Sequence, residues 1–502
     1  MLKRSAIFLH RWLGVALCLL FLLWFPSGIG MMYWDFPGVT AGDRLDRSPA
    51  LDSSAIRVSP AEAYAATGQS QLPSQVRLNT FDGRPVYRFR AGRGETLVYA
   101  DTGARQTEVS KDVAARVASA WVRQPSEAAT VETLTDADQW TVEGSFRSQR
   151  PLSKYSWPSG EQVYVSQASG EVVQYTTTAS RVGAYLGPIP HWIYFTPLRK
   201  NQPAWSRFVT WSSGIGTFAA ILGIVIGVWM YSPSKRYRVA GASTSIPYRG
   251  QKRWHTIIGL IFGVGAATWA FSGMLSMDPF PAMSARNPAD IPQALRGRVV
   301  PLPAFAVRDP REALAQLGNE AVKELELASV AGEAAYLATI SRGDTRVVPL
   351  AGPPRAEFDR QRIVDVVTRA AQLQGLAEIR VADRYDVYYL DRLKQKPLPV
   401  ILARLNDAEH TRYYIDPKTA RVVGSYSSRA WMSRWLYHGL HSLDFPWLYD
   451  YRPLWDIVVI TFMLGGTALC VTSLILAWRV IGAYFFGGGV QRAGLSAGPL
   501  SR

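Results

Sequence analysis

Hydrophobic and polar positions along this chain fall into blocks. Four runs contain no charged residue: 12–33, 209–231, 256–277 and 457–478. A helix needs about 20 consecutive apolar residues to cross the hydrocarbon core of a bilayer. Each run meets that length, so four transmembrane helices are predicted. The chain then divides into an N-terminus (1–11), helix one (12–33), a long polar segment (34–208), helix two (209–231), a short loop (232–255), helix three (256–277), a second long polar segment (278–456), helix four (457–478) and a tail (479–502). The first run follows Lys3 and Arg4, as a signal peptide would. It is longer than the roughly 7–15 apolar residues of such peptides, and Met31-Met32-Tyr33-Trp34 is a poor cleavage site, so it is read as a retained helix.

Within the long segments the pattern changes to short elements. Ser59-Pro60 followed by Glu62 and alanines is a helix start, with serine as cap and proline at the first helical position. Extended stretches are expected at 75–79, 86–90 and 96–100, separated by Asp82-Gly83 and Gly92-Arg93-Gly94 turns, and a helix at 111–121. The second segment has the same order: helix at 310–316, strands at 323–327 and 335–341, helix at 358–372. The fold class is therefore an α-helical membrane protein with four transmembrane helices and two α+β extracytoplasmic domains.

Charge sets the orientation. Every Asp and Glu lies between Asp35 and Glu171 or between Asp278 and Asp456. The loop between helices two and three carries Lys235, Arg236, Arg238, Arg249, Lys252 and Arg253 without an acid; Lys3, Arg4 and Arg11 precede helix one, and Arg479, Arg492 and Arg502 follow helix four. Short loops rich in Lys and Arg stay in the cytoplasm. Both termini are thus expected to be cytoplasmic, with the two long segments in the periplasm if the organism is Gram-negative. The net charge of +16 follows the same distribution, and no nucleic-acid recognition motif accompanies it. Cys18 and Cys470 lie inside helices one and four and read as small buried apolar residues. No Cys-x-x-Cys-His is present, which excludes covalent haem attachment.

The chain repeats itself. His10, just before run one, and Gly14, Trp24, Ser27 and Gly28 within it recur at the same spacing as His255, just before run three, and Gly259, Trp269, Ser272 and Gly273 within it. His191 followed by Pro203 and Trp205 recurs as His441 followed by Pro453 and Trp455. The strand–turn–strand pattern of 163–175 has its counterpart at 412–426. The first histidine pair is offset by 245 residues and the second by 250, so one tandem duplication with a small insertion accounts for both.

Four of the six histidines belong to this repeat; His410 and His438 do not. One histidine at a helix end is an ordinary interfacial side chain. Four in two related pairs, facing across a pseudo-two-fold axis at two depths, are what two bis-histidine b-type haems require. The cytoplasmic pair is His10 and His255. The outer pair is His191 and His441, with His438, one helical turn away, as fallback ligand. Gly14, Gly259 and Gly263 would open a flat slot for a porphyrin, although glycines also serve plain helix packing. Zinc would want further ligands nearby, a proton relay would want acids in the helices, and no nucleotide motif has its strand–turn–helix context, the Gly487-Gly488-Gly489 run included.

Leu9-His10-Arg11-Trp12-Leu13-Gly14 with Trp24, Ser27 and Gly28, and its second copy around His255, resembles the PepSY-associated transmembrane family. The outer segments look like the PepSY domains between its helices. The likeness covers the chain from about Arg4 to Trp478. The second copy departs in having Trp254-His255-Thr256 where the first has His10-Arg11-Trp12. The resemblance implies an iron-regulated protein of the bacterial cytoplasmic membrane, with some relatives being di-haem reductases of ferric siderophores. It implies His10, His255, His191 and His441 as axial ligands.

Three functions compete. In the first, electrons pass from a cytoplasmic or membrane donor through two haems b to a ferric siderophore or other ferric chelate outside; the chain has no flavin or ferredoxin module, so the donor is a separate partner. The second is a non-redox sensor or regulator acting through the outer domains, and the third a transporter, since repeats are common there. Arg199, Lys200 and Arg452 read as basic residues beside lipid headgroups, with attraction of an anionic chelate as the alternative.

Overall fold

The computed structural model describes residues 1–485 apart from 93, 108, 280–288, 298–299, 301 and 331. Arg93 of the Gly92–Gly94 turn, the basic residues Arg492 and Arg502, and the Gly487–Gly489 run lie outside the described residues. The chain forms two compact units. One is drawn from Met1–Phe36, Val182–Phe280 and Trp435–Arg502, the other from Pro37–Arg181 and Pro281–Arg434.

The first unit holds four helices long and apolar enough to cross a membrane: Leu2–Gly30, Gln202–Met230, Gly250–Leu275 and Arg452–Phe485. Each begins before its charge-free run, because flanking polar and basic residues continue the hydrogen-bonded ladder past the apolar stretch. A helix of 29 residues is about 44 Å long, against about 30 Å of hydrocarbon. His10 and His255 consequently sit more than one turn inside their helices rather than at the start. The second spanning helix packs on the first and third, and the fourth packs on the same two. This ring has the two-fold relation expected of a duplication. The repeats fit by exchanging bulk: Phe21 and Phe25 of the first helix stand where the third helix has the buried Ala266 and Ala270, and glycines receive the rings. An added Cβ at Gly216 would lie 2.7 Å from Phe21, and one at Gly466 would lie 2.5 Å from Phe25.

In the second unit, the predicted elements occur in the predicted order. Ser59 caps the helix Pro60–Ala65 and forms a reciprocal capping box with Glu62. Strands β1 (Gln75–Phe81), β2 (Arg84–Ala91) and β3 (Gly94–Tyr99) form an antiparallel meander. The β1–β2 turn places Asp82 and Gly83 at φ 49° and 74°, the left-handed pair a tight hairpin requires. Strands β4 to β7, between Thr130 and Thr176, make a four-stranded sheet. A short hairpin, β8 (Tyr237–Val239) and β9 (Ala242–Thr244), belongs to the loop of the first unit. The second repeat supplies β10 (Glu324–Val330), β11 (Glu333–Ser341) and β12 (Asp344–Pro349), then a four-stranded sheet of β13 to β16 between Leu376 and Tyr426.

The two meanders are not separate. β1 pairs with β10, so one six-stranded sheet runs in the order β12-β11-β10-β1-β2-β3. Val76 pairs with Leu327, Arg77 with Glu326 and Leu78 with Leu325. Arg77 and Glu326 occupy corresponding positions in the two burial patterns, so the local two-fold passes between them. Duplication allowed these facing positions to differ, and they carry opposite charges. Arg77 also reaches Glu95 at 2.9 Å and Glu324 at 3.5 Å. Behind the charges, Val76, Leu78, Leu325 and Leu327 join one continuous buried core.

Candidate functional site

Both histidine pairs of the sequence come together inside the helical unit. The rings of His10 and His255 have centroids 6.2 Å apart, and those of His191 and His441 are 5.9 Å apart. Two imidazoles bound in line to one metal, each at about 2.0 Å, would place their centroids about 6 Å apart. Ordinary aromatic pairs cover the same range. The discriminating features are therefore the hydrogen bonds of the rings and the space around them.

The bonds assign one tautomer to all four. His10 Nδ1 lies 3.0 Å from the Ala219 carbonyl and His191 Nδ1 lies 3.1 Å from the Trp24 carbonyl. A carbonyl only accepts, so each Nδ1 carries the proton. His255 Nδ1 faces Thr472 Oγ1 at 3.1 Å, and that hydroxyl donates to the Leu469 carbonyl at 2.7 Å. His441 Nδ1 faces Ser272 Oγ at 3.0 Å, and that hydroxyl donates to the Trp269 carbonyl at 3.2 Å. With their protons used, both hydroxyls are left to accept from Nδ1–H. Every Nε2 is then a bare lone pair, and among the described residues none has a hydrogen-bond partner. Metal-ligating histidines are held in this way, the second nitrogen fixing tautomer and ring orientation.

The space is apolar. A cavity of about 340 Å³ is lined by His10 and His255 together with Gly14, Gly259, Gly263, Cys18 and Cys470. A second, of about 260 Å³, is lined by His191 and His441 with Trp24, Trp269, Tyr194 and Trp205. Phe21 and Phe25 line both. These volumes lie near the lower end of ligand sites, about 300–1,000 Å³. A Cβ at Gly14 would meet nothing within 4 Å, so this glycine faces open space; one at Gly263 would press on Ile224 at 3.0 Å, so that glycine also serves helix packing. Trp24 lies fourteen residues beyond His10, which puts the two histidine levels about 21 Å apart along the first spanning helix.

The structure gives the repeated motifs a purpose that their spacing did not disclose. Ser27 Oγ lies 3.3 Å from His191 Nδ1, the counterpart of Ser272 and His441. Trp205 Nε1 donates to the Trp192 carbonyl at 2.8 Å, and Trp455 Nε1 to the Ser442 carbonyl at 3.0 Å, each anchoring the residue after a cavity histidine. Gly223 is a further site residue: a Cβ there would lie 2.6 Å from His10 Cε1. Position 223 corresponds to Ser473, whose hydroxyl lies 3.4 Å from His255 Nδ1. Single glycines and serines in apolar helices carry no signal of this kind in a sequence.

The remaining residues separate. His438 lies in a π-helical turn, Met432–Gly439, its ring half exposed and 3.8 Å from Asp444. His441 is the one whose ring meets His191. His410 belongs to the other unit, at φ 49° in a turn. Arg452 pairs with Asp456 at 2.9 Å, one turn along the fourth spanning helix. Arg199 departs from the headgroup reading. It is 6 % exposed, its guanidinium 4.7 Å from the Tyr194 ring and 4.5 Å from the Trp205 ring. A single helical turn, Thr196–Arg199, precedes the second spanning helix and carries this buried side chain. No group of three or more His, Cys, Asp or Glu able to hold a metal occurs among the described residues.

Four long apolar helices, a duplicated unit and two pairs of partly buried histidines define a multi-pass membrane protein with two apolar cavities. The chain belongs to the family described as the PepSY-associated TM region, whose model matches residues 7–336. The match takes in three spanning helices with His10, His191 and His255, and ends before His441. Comparison with curated proteins finds no match.

Proposed function

We propose that the protein holds two b-type haems, one between His10 and His255 and one between His191 and His441, and moves electrons across the membrane to a ferric chelate such as a siderophore. The observation that carries this is the uniform state of the four imidazoles: paired and partly buried, Nδ1–H bonded, Nε2 free, beside apolar space. Bound haem would supply a one-electron couple at each level. The chain's own part is to hold the rings and keep water out. Ala219 and Thr472 orient one pair; Trp24, Ser27 and Ser272 orient the other. Glycines at 14 and 259 leave room beside the first pair, and Phe21 and Phe25 fill the bundle between the two levels. With the basic loop and both termini in the cytoplasm, the His10–His255 pair faces a cytoplasmic or membrane donor. The His191–His441 pair then faces the outer compartment, where Fe(III) in a chelate would be reduced to Fe(II), which siderophores hold poorly.

Purified full-length protein from haem-replete cells tests this. A reduced-minus-oxidised b-type spectrum with two haems per chain is expected, with one haem lost in His10→Ala or His255→Ala and the other in His191→Ala or His441→Ala. A colourless, folded protein overturns the reading.

A further inference from the structure

Arg199 breaks the two-fold symmetry of the helical unit beside one cavity only. Its guanidinium lies against the rings of Tyr194 and Trp205, which touch each other edge to face and both line the His191–His441 cavity. Tyr194 OH meets Nη2 at the long distance of 3.5 Å, while Nε and Nη1 have no hydrogen-bond partner. No carboxylate pairs with it among the described residues. Arginine does not shed its proton in a protein, so this is a standing positive charge in a poorly solvated place.

The second repeat does the opposite. At the same offset of 250 residues, Tyr194 becomes Asp444 and Arg199 becomes Tyr449. Tyr449 lies against Trp455 at 5.7 Å, as Arg199 lies against Trp205, and its hydroxyl bonds Asp444. The duplicated frame therefore carries an unpaired cation on one side and a hydrogen-bonded tyrosine on the other. Cations also border the His10–His255 cavity, namely Arg11 and Lys252, but both are exposed, so water and salt screen them.

We propose that Arg199 is a tuning residue that raises the midpoint potential of the haem held by His191 and His441 above that of the haem held by His10 and His255. This rests on the haem reading above. Reduction adds one negative charge at the iron, and a fixed positive charge nearby in a low-dielectric surrounding favours the reduced form. The transfer it assists is balanced: Fe(II) at the His10–His255 level is oxidised to Fe(III) as Fe(III) at the His191–His441 level is reduced to Fe(II). The donor and the ferric chelate close the cycle at either end. Arg199 thus gives the electron a preferred direction, outward.

Potentiometric titration of the full-length protein, followed by haem absorbance, tests it. The two potentials are assigned by the one that disappears in His441→Ala. In Arg199→Gln, and in Arg199→Met, which keeps an aliphatic stem beside the two rings, the His191–His441 potential should fall while the other stays put. Arg199→Lys should keep the wild-type value. An unchanged potential in either folded neutral variant with both haems bound overturns the proposal. So does an equal fall in Arg199→Lys, which would mark a packing effect. Absence of any haem from the wild-type protein instead refutes the underlying reading, before Arg199 is altered.

Discussion

Replacing Ser272 by alanine isolates what a single hydroxyl does for the site. Ser272 is fully buried, and its oxygen is the 3.0 Å acceptor for His441 Nδ1–H. The change removes one atom, opens almost no cavity and sits in a helix where alanine is at least as good as serine. The fold should therefore survive. What remains is an enclosed N–H that has lost its acceptor, a loss of about 1–3 kcal/mol. Loss of such an outer hydrogen bond reduces metal affinity about 10- to 100-fold, which at about 1.4 kcal/mol per decade is the same energy. On the proposed function, haem should leave the His191–His441 level about 10- to 100-fold faster, measured as transfer to an excess of a haem-scavenging protein, while the other haem keeps its rate. Ser27→Ala should do less. Its oxygen is farther from His191 Nδ1, at 3.3 Å, and the Trp24 carbonyl at 3.1 Å still accepts that proton. Equal release rates for wild type and Ser272→Ala, with both haems bound, would refute the role given to this hydroxyl.

Gly223→Ala should displace the His10 ring, because the new Cβ would lie 2.6 Å from its Cε1; overpacking of this kind costs about 1–3 kcal/mol, and haem content should fall from two to one per chain while the spanning helices remain by circular dichroism. Arg77→Glu should destabilise the six-stranded sheet by about 1–2 kcal/mol in chemical unfolding, since it sets a carboxylate opposite Glu326 and beside Glu95 and Glu324; Glu326→Arg in the same chain should restore part of the loss, and no restoration would mean the pair is not coupled. The carboxyl of Glu95 gives a pH test. Burial pushes it up, but Arg88 and Arg77 beside it outweigh burial and hold it below the usual carboxylate range. Its contribution is thus full above the unfolded value and disappears as pH falls through the depressed folded one. Glu95→Gln should be less stable than wild type at neutral pH and converge with it in acid; a gap that persists in acid would show that charge is not the cause.

Much of this molecule was legible from residue order. Runs of twenty apolar residues have few structural outcomes, because a backbone in lipid must satisfy its own hydrogen bonds. The four spanning helices follow from that constraint. The Ser59 cap and the Asp82-Gly83 hairpin turn were legible for a similar reason, since capping and left-handed turns depend on a few adjacent residues. Fixed spacing exposed the duplication, and the duplication singled out His10, His191, His255 and His441 as pairs. Tertiary structure decided the rest. Only folding shows that β1 pairs with β10, because strand edges look alike along a chain and partner choice depends on which edges meet. Only folding assigns Nδ1–H to each cavity histidine, because the deciding acceptors, Ala219, Trp24, Thr472 and Ser272, include carbonyls that every residue has and lie far away in sequence. And only folding separates Arg199 from Arg452, two basic residues near the starts of spanning helices with the same local appearance: one is ion-paired to Asp456 a turn away, while the other is buried against two aromatic rings that line a cavity.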